Sequence, residues 1–257
     1  MDIHPDSVQH NFVSQFPEIF GKYEPLRFQF GDVDKMETFY DTSSYLFGSQ
    51  GNKDVGMIFS AVERSYIKRP YQRFEDYIRG KKVLTKLLGI WWPPKLRKRL
   101  DELVEQYREE YGQKRNILKF YTEYLQPEDK KLLISKMFLP PQLSKGTDED
   151  SLVRTRIDLL LEFRHGQAHS AKYTAFSDGT QRKRHEKAGN TWFMTLSFEE
   201  FYEMTRKALA RFWAGEYERY LASGGKEKID ALIQSLEEQK KAIAKSVQDQ
   251  EVKEATK

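Results

Sequence analysis

Two of the chain's five histidines fall in one short segment, Glu162-Phe163-Arg164-His165-Gly166-Gln167-Ala168-His169. An imidazole titrates near neutrality, with an ordinary pKa of ~6.5, so it can take or give a proton. A guanidinium is planar and permanently charged, and its fork of N–H groups fits phosphate oxygens. Cleavage of RNA by internal transfer needs three things: a base for the 2′-hydroxyl proton, an acid for the departing 5′-oxygen, and positive charge on the phosphorane. Arg164 and His169 are of the right types, and no metal ion is required. The sequence has no cysteine and no His-Glu-x-x-His, the obvious signatures of a metal site.

The segment lies at the end of an apolar helical stripe. Val153, Ile157, Leu160, Leu161 and Arg164 repeat at helical spacing, and Leu159 and Phe163 widen the face. Thr147-Asp148-Glu149-Asp150 supplies an acidic first turn, favourable at the positive end of a helix dipole. The pattern predicts a central helix that ends near Gly166 or reaches about His169. Beyond it, Lys172–Phe176 and Thr191–Leu196 are strand-like and predict a hairpin. Its long tip, Ser177–Asn190, holds the basic run Arg182-Lys183-Arg184-His185-Glu186-Lys187. Ser197-Phe198-Glu199-Glu200 has the form of a capping box and opens a long helix through Trp213.

Helical patterns also dominate upstream. Asp54 caps a stripe of Met57, Ile58, Ala61, Val62 and Tyr66, and Pro93-Pro94 opens one with Leu96, Leu100, Leu103, Val104 and Tyr107. Ile117 to Leu125 forms another, and Pro127 starts a short helix that Pro140-Pro141 stops. Val8 to Phe20 is helical in spacing but interrupted by Pro17, and Leu26 to Phe30 reads as a short strand or turn. Ser43 to Gly56 is rich in Ser and Gly and reads as a loop. Gly224-Gly225 breaks the long helix, after which Ile229, Leu232, Ile233, Leu236, Ile243 and Val247 form a nearly heptad stripe. Disorder is expected beyond about Ser246. The expected fold is an all-α bundle with a small β-hairpin inserted after the motif helix. Its parts are an N-terminal accessory segment (1–53), a helical domain (54–222) and a charged C-terminal helix (223–257).

Composition narrows the function classes. Apolar stretches such as Leu87–Trp92 are far shorter than the ~20 residues of a spanning helix, and mean hydropathy is −0.76, so no membrane role is expected. Without cysteine there is no disulfide scaffold, iron–sulfur cluster or thiol nucleophile. The N-terminus carries no basic region and apolar run, which makes a cytoplasmic location the expectation. A formal net charge of +4 permits nucleic-acid binding without arguing for it. Gly80-Lys81-Lys82 lacks the other residues of a phosphate-binding P-loop.

Arg164, His165 and His169 resemble, position by position, the motif of the HEPN superfamily (higher eukaryote and prokaryote nucleotide-binding domains): an Arg, then Asn, Asp or His, three variable residues and a His. The resemblance covers the motif and its helical surroundings. It implies a homodimer in which two motifs face each other. His169 of one subunit would be the base and its mate the acid, the paired Arg164 side chains would hold the scissile phosphate, and His165 would orient the site. The function so implied is a metal-independent endoribonuclease without cofactor, in the manner of toxins or anti-phage effectors, with RNA as substrate and an antitoxin or regulatory protein as a further partner. Arg182, Lys183, Arg184 and Lys187 would lead RNA to the site.

Each feature has a plainer reading. Arg164 and His169 also suit the C-terminal end of a helix as cations. The basic run also suits a solvated loop tip, and Lys68, Arg69, Arg73, Arg79, Lys81 and Lys82 with Tyr71 suit a helix end and its linker as well as a single-strand binder. Trp91-Trp92 suits a core plug. Two other functions fit the same pattern: a non-catalytic HEPN-like domain that binds a nucleotide or a partner such as a nucleotidyltransferase, and a helical scaffold assembling through its last helix.

Overall fold

The computed structural model describes residues 13–24, 27–66, 77, 93–144, 146–170 and 176–255, with side chains excepted at 93–97, 109–111, 165–170 and 244–255. Pro17 interrupts the helical pattern as expected: the backbone is helical over residues 13–15, leaves the helix at Phe16, and starts again at Pro17 as α1 (Pro17–Phe20), where the missing N–H costs nothing. Residues 28–30 form no strand and follow a turn at Arg27. Phe28 and Phe30 instead drive their rings against Phe39, Trp213 and Tyr217, with Phe28 4.6 Å from Tyr217.

The expected loop at Ser43–Gly56 is mostly helix. Asp32 caps α2 (Val33–Asn52) by accepting from the N–H groups of Asp34 and Lys35. The small residues serve close packing against α3 (Val55–Tyr66): a Cβ on Gly48 would stand 2.5 Å from the Met57 methyl. Thr42 and Ser49 are buried with their hydroxyls returned to backbone carbonyls at 2.7 Å. The chain turns only at Lys53 (φ 50°), and Asp54 accepts from the Gly56 N–H at 2.7 Å to begin α3 as expected.

Three further helices follow: α4 (Pro93–Tyr111), α5 (Gln113–Tyr124) and α6 (Pro127–Lys136). Helix α6 ends before Pro140-Pro141, because Met137–Phe138 leaves it as strand β1. The motif helix α7 (Glu149–Ser170) buries Val153, Ile157, Leu159, Leu160, Leu161 and Phe163, and its backbone runs past Gly166 without a break. Trp91-Trp92 and the basic residues from Lys68 to Lys82 lie outside the described residues.

The hairpin's second strand overlaps the expected Thr191–Leu196, but its partner strand is the basic run itself. The basic run is not a loop tip but a strand, β2 (Lys183–Lys187), turned through Ala188 and Gly189, both at positive φ, into β3 (Asn190–Met194). Lys183, His185 and Lys187 alternate with exposed Arg184 and Glu186, so charge concealed a two-residue period. Of the other expected strand, 172–175 lies outside the described residues, and Ser177 makes a single bridge to Ser197. The sheet order is β1-β3-β2, all antiparallel, with Phe138 opposite Phe193 and Phe193 opposite Arg184.

Helix α8 (Phe198–Tyr220) closes the core. Its capping box is formed on both sides: Ser197 Oγ accepts from the Glu200 N–H and the Glu200 carboxylate accepts from the Ser197 N–H. Phe201, Leu209 and Trp213 pack into the same core as Phe16, Phe59, Tyr121 and Leu160. Gly224 (φ 85°) breaks the helix within the π-turn Leu221–Gly225, as expected. The last helix, α9 (Lys226–Ala255), keeps its helical backbone beyond Ser246, where disorder is expected; among the described side chains of its stripe Ile229 is buried and Ile233 half-buried, while Leu232, Leu236 and Ile243 are exposed. The fold is thus all-α with a small antiparallel sheet. Among the described residues no helix is long and apolar enough to cross a membrane.

Candidate functional site

Helix α7 packs its C-terminal half between α3 and the hairpin. On the α3 side, Arg164 meets a partner the sequence reading lacks. Its Nη1 and Nη2 donate to the two carboxylate oxygens of Glu63, at 2.5 and 3.0 Å. This is the bidentate, charge-assisted geometry that fixes a guanidinium in plane. Glu63 is 6% exposed and Arg164 26%, so the carboxylate lies inside and the guanidinium reaches the surface. Gly56, on the same helix, faces the Arg164 stem, and a Cβ there would stand 3.8 Å from its Cγ. Glu63 falls eight positions after Val55 and four after Phe59, on an otherwise apolar helical face. A lone acid in such a stripe is the signal that marks it.

A guanidinium has five N–H donors, and Glu63 takes two. The remaining donors belong to a group already oriented, so phosphate oxygens would meet it with little ordering cost. Glu63 also compensates its charge, so Arg164 alone offers a phosphate geometry more than net attraction.

His165 and His169 lie on the same continuous helical backbone, while their side chains are outside the described residues. At 100° per residue, position 169 is about 140° round the axis from position 164 and about 7.5 Å along it. The two positions therefore do not share one face of α7.

On the hairpin side, Phe163 stacks on Trp192 at 5.8 Å, and His185 stacks on the same indole at 4.4 Å. The His185 Nε2 is buried and meets no hydrogen-bond partner among the described residues. Burial pushes its pKa down, which keeps the ring neutral at pH 7. Lys187 pairs with Glu162, so of the four basic residues expected to lead RNA in, this one braces the hairpin on the motif helix. Lys183 is half-buried at the start of β2. Arg184 reaches its neighbour Glu186 at 2.8 Å and stays exposed, and Arg182 lies over the Phe138 ring at 4.5 Å. Arg156, two turns before Arg164, is buried and donates to the Leu152 and Met137 carbonyls, with burial pushing its pKa down to about 10.

Among the described residues, no group of three or more His, Asp or Glu side chains is placed to hold a metal ion. The basic hairpin and Arg164 are thus joined through one helix segment, Glu162 to Arg164, which carries a fixed cation on one side and the sheet on the other. The chain matches no protein-family model, no characterised protein and no solved structure.

Proposed function

We propose that this protein is a metal-independent endoribonuclease acting in the cytoplasm as a homodimer, with one site built from two copies of the Arg164–His169 segment. In this reading His169 of one copy takes the proton from an RNA 2′-hydroxyl. The 2′-oxygen then bonds to phosphorus, and the 5′-oxygen leaves with a proton from His169 of the other copy. The products are a 2′,3′-cyclic phosphate and a free 5′-hydroxyl. The paired Arg164 guanidiniums hold the phosphoryl oxygens as charge builds, and His165 orients the strand. The reading rests on the motif's resemblance to the HEPN superfamily. The observation that supports it best is the fixing of Arg164 by buried Glu63 with donors to spare. A role as a toxin or anti-phage effector, checked by an antitoxin or regulatory protein, follows from the resemblance alone.

The test is cleavage of end-labelled RNA by purified protein in EDTA. Wild type should release cyclic-phosphate ends, and Arg164→Ala and His169→Ala should not. Activity that EDTA abolishes, or that survives either substitution, refutes the proposal.

The charge balance of the Arg164–Glu63 pair favours a second reading, a HEPN-like domain that binds a nucleotide or partner without cutting. Nucleotide binding by wild type, with no cleavage product at any protein concentration, would select it.

A further inference from the structure

The face of the sheet turned away from α7 carries an arrangement that the motif does not explain. One cross-strand row runs Phe138, Phe193, Arg184, one residue from each strand. Both rings are open to solvent, Phe138 by 41% and Phe193 by 37%, although each follows or precedes a fully buried methionine on its own strand. The Arg182 guanidinium covers the Phe138 ring at 4.5 Å and is paired with no carboxylate among the described residues. The hairpin strand and its approach hold Arg182, Lys183, Arg184 and Lys187 against one acid, Glu186.

Exposed aromatic rings on a sheet, spaced across neighbouring strands and edged by arginines, match the two parts of a single strand of nucleic acid. Bases stack on ring faces, and phosphates meet the cations. Adjacent strands lie about 4.8 Å apart, which suits neighbouring unstacked bases better than a duplex, whose bases are inaccessible. We propose that this sheet face is a binding platform for single-stranded RNA, with one base stacked on Phe193, a second on the Arg182 guanidinium plane that Phe138 supports, and the backbone met by Arg184. It extends the ribonuclease reading by naming where the substrate strand is held, on the sheet face opposite the motif helix, but its test is made on binding alone.

The probe is a fluorescein-labelled, 2′-O-methylated oligonucleotide of about 12 residues, within the usual span of such sites. The methyl groups block 2′-hydroxyl transfer, so anisotropy with the full chain reads binding whether or not the protein cuts RNA. Phe138→Leu and Phe193→Leu keep apolar volume at half-open sites and remove the π-face. Each should weaken binding about five- to a hundredfold, while Phe193→Trp should retain it. Arg184→Ala should lower the slope of log affinity on log salt by about 0.7. A duplex of the same length should bind at least tenfold more weakly. Circular dichroism and unmoved thermal midpoints confirm that the variants fold. Affinity within twofold of wild type in both leucine variants, or no binding of the probe at all, overturns the platform and leaves the face to a protein partner. Cleavage of unmodified RNA that persists alongside such a result would retain the ribonuclease and remove only the platform. Ring-dependent binding without cleavage would do the reverse.

Discussion

Glu63→Ala is the sharpest perturbation of this molecule. The side chain is 6% exposed and accepts two hydrogen bonds from Arg164 at 2.5 and 3.0 Å. Hydrogen bonds to charged groups contribute about 1.5–3 kcal/mol each, and breaking a fully buried pair from one side costs about 3–5 kcal/mol. Arg164 is 26% exposed, so water recovers part of its solvation once the carboxylate is gone. The expected loss is therefore about 2–3 kcal/mol, or roughly 4–10 °C in Tm for a chain of this size. Urea denaturation reads it as a lower midpoint at unchanged slope. Arg164→Met, alone and combined with Glu63→Ala, completes a cycle whose coupling should be about 1–3 kcal/mol. If the ribonuclease reading holds, Glu63→Ala also loses cleavage, because the guanidinium loses its fixed plane. A stability change under about 0.5 kcal/mol, or single effects that simply add, would refute the claim that Glu63 holds Arg164 in place.

Three further outcomes are expected. His185 is held neutral by burial, so the unfolded chain binds the extra proton and stability falls as pH drops below about 6.5; His185→Phe keeps the stack on Trp192 and should flatten that limb in pH-dependent melts. Arg206 donates to Glu18, Glu203 and the Gln15 carbonyl and holds the Glu18 carboxyl below its usual range, so this contribution is present above about pH 4.5 and lost on acidification. Arg206→Met should cost about 2 kcal/mol at pH 7 and less at pH 3, read by urea midpoints at both. A Cβ at Gly225 would stand 2.6 Å from the Tyr220 carbonyl oxygen, so Gly225→Ala should lower Tm by several degrees, whereas Gly224→Ala, with open space but φ 85°, should cost about 1 kcal/mol.

What could be read from the residues is what repeats. The stripe from Val153 to Leu161, the capping box at Ser197 and the break at Gly224 each carry a periodic or positional signal, and each lies where expected. Helix α2 escaped because Ser and Gly favour turns in isolation, while here they let two helices approach closely. The strand Lys183–Lys187 escaped because its inward residues, Lys183, His185 and Lys187, are polar types that mask the two-residue period; Lys187 pairs with Glu162 and His185 stacks on Trp192. The Arg164–His169 spacing stands out in the residues alone. Glu63 was not assigned, because a lone carboxylate in an apolar stripe has meaning only with its partner, 101 positions further on. Phe138 and Phe193 were equally hidden, since only the sheet register sets them side by side.

Strand β1 precedes the motif helix and β3 follows it, yet Met137 pairs with Met194, and the Thr195 N–H donates to the Lys136 carbonyl at 2.8 Å. The stretch between them is a lasso with its knot at the sheet, which Arg156 tightens from inside by gripping the Met137 carbonyl. Such a lasso behaves as a cassette. Its two ends enter and leave the molecule at one place, so new chain ends opened in the connector between Phe138 and Glu149 would leave Arg164 with the same neighbours.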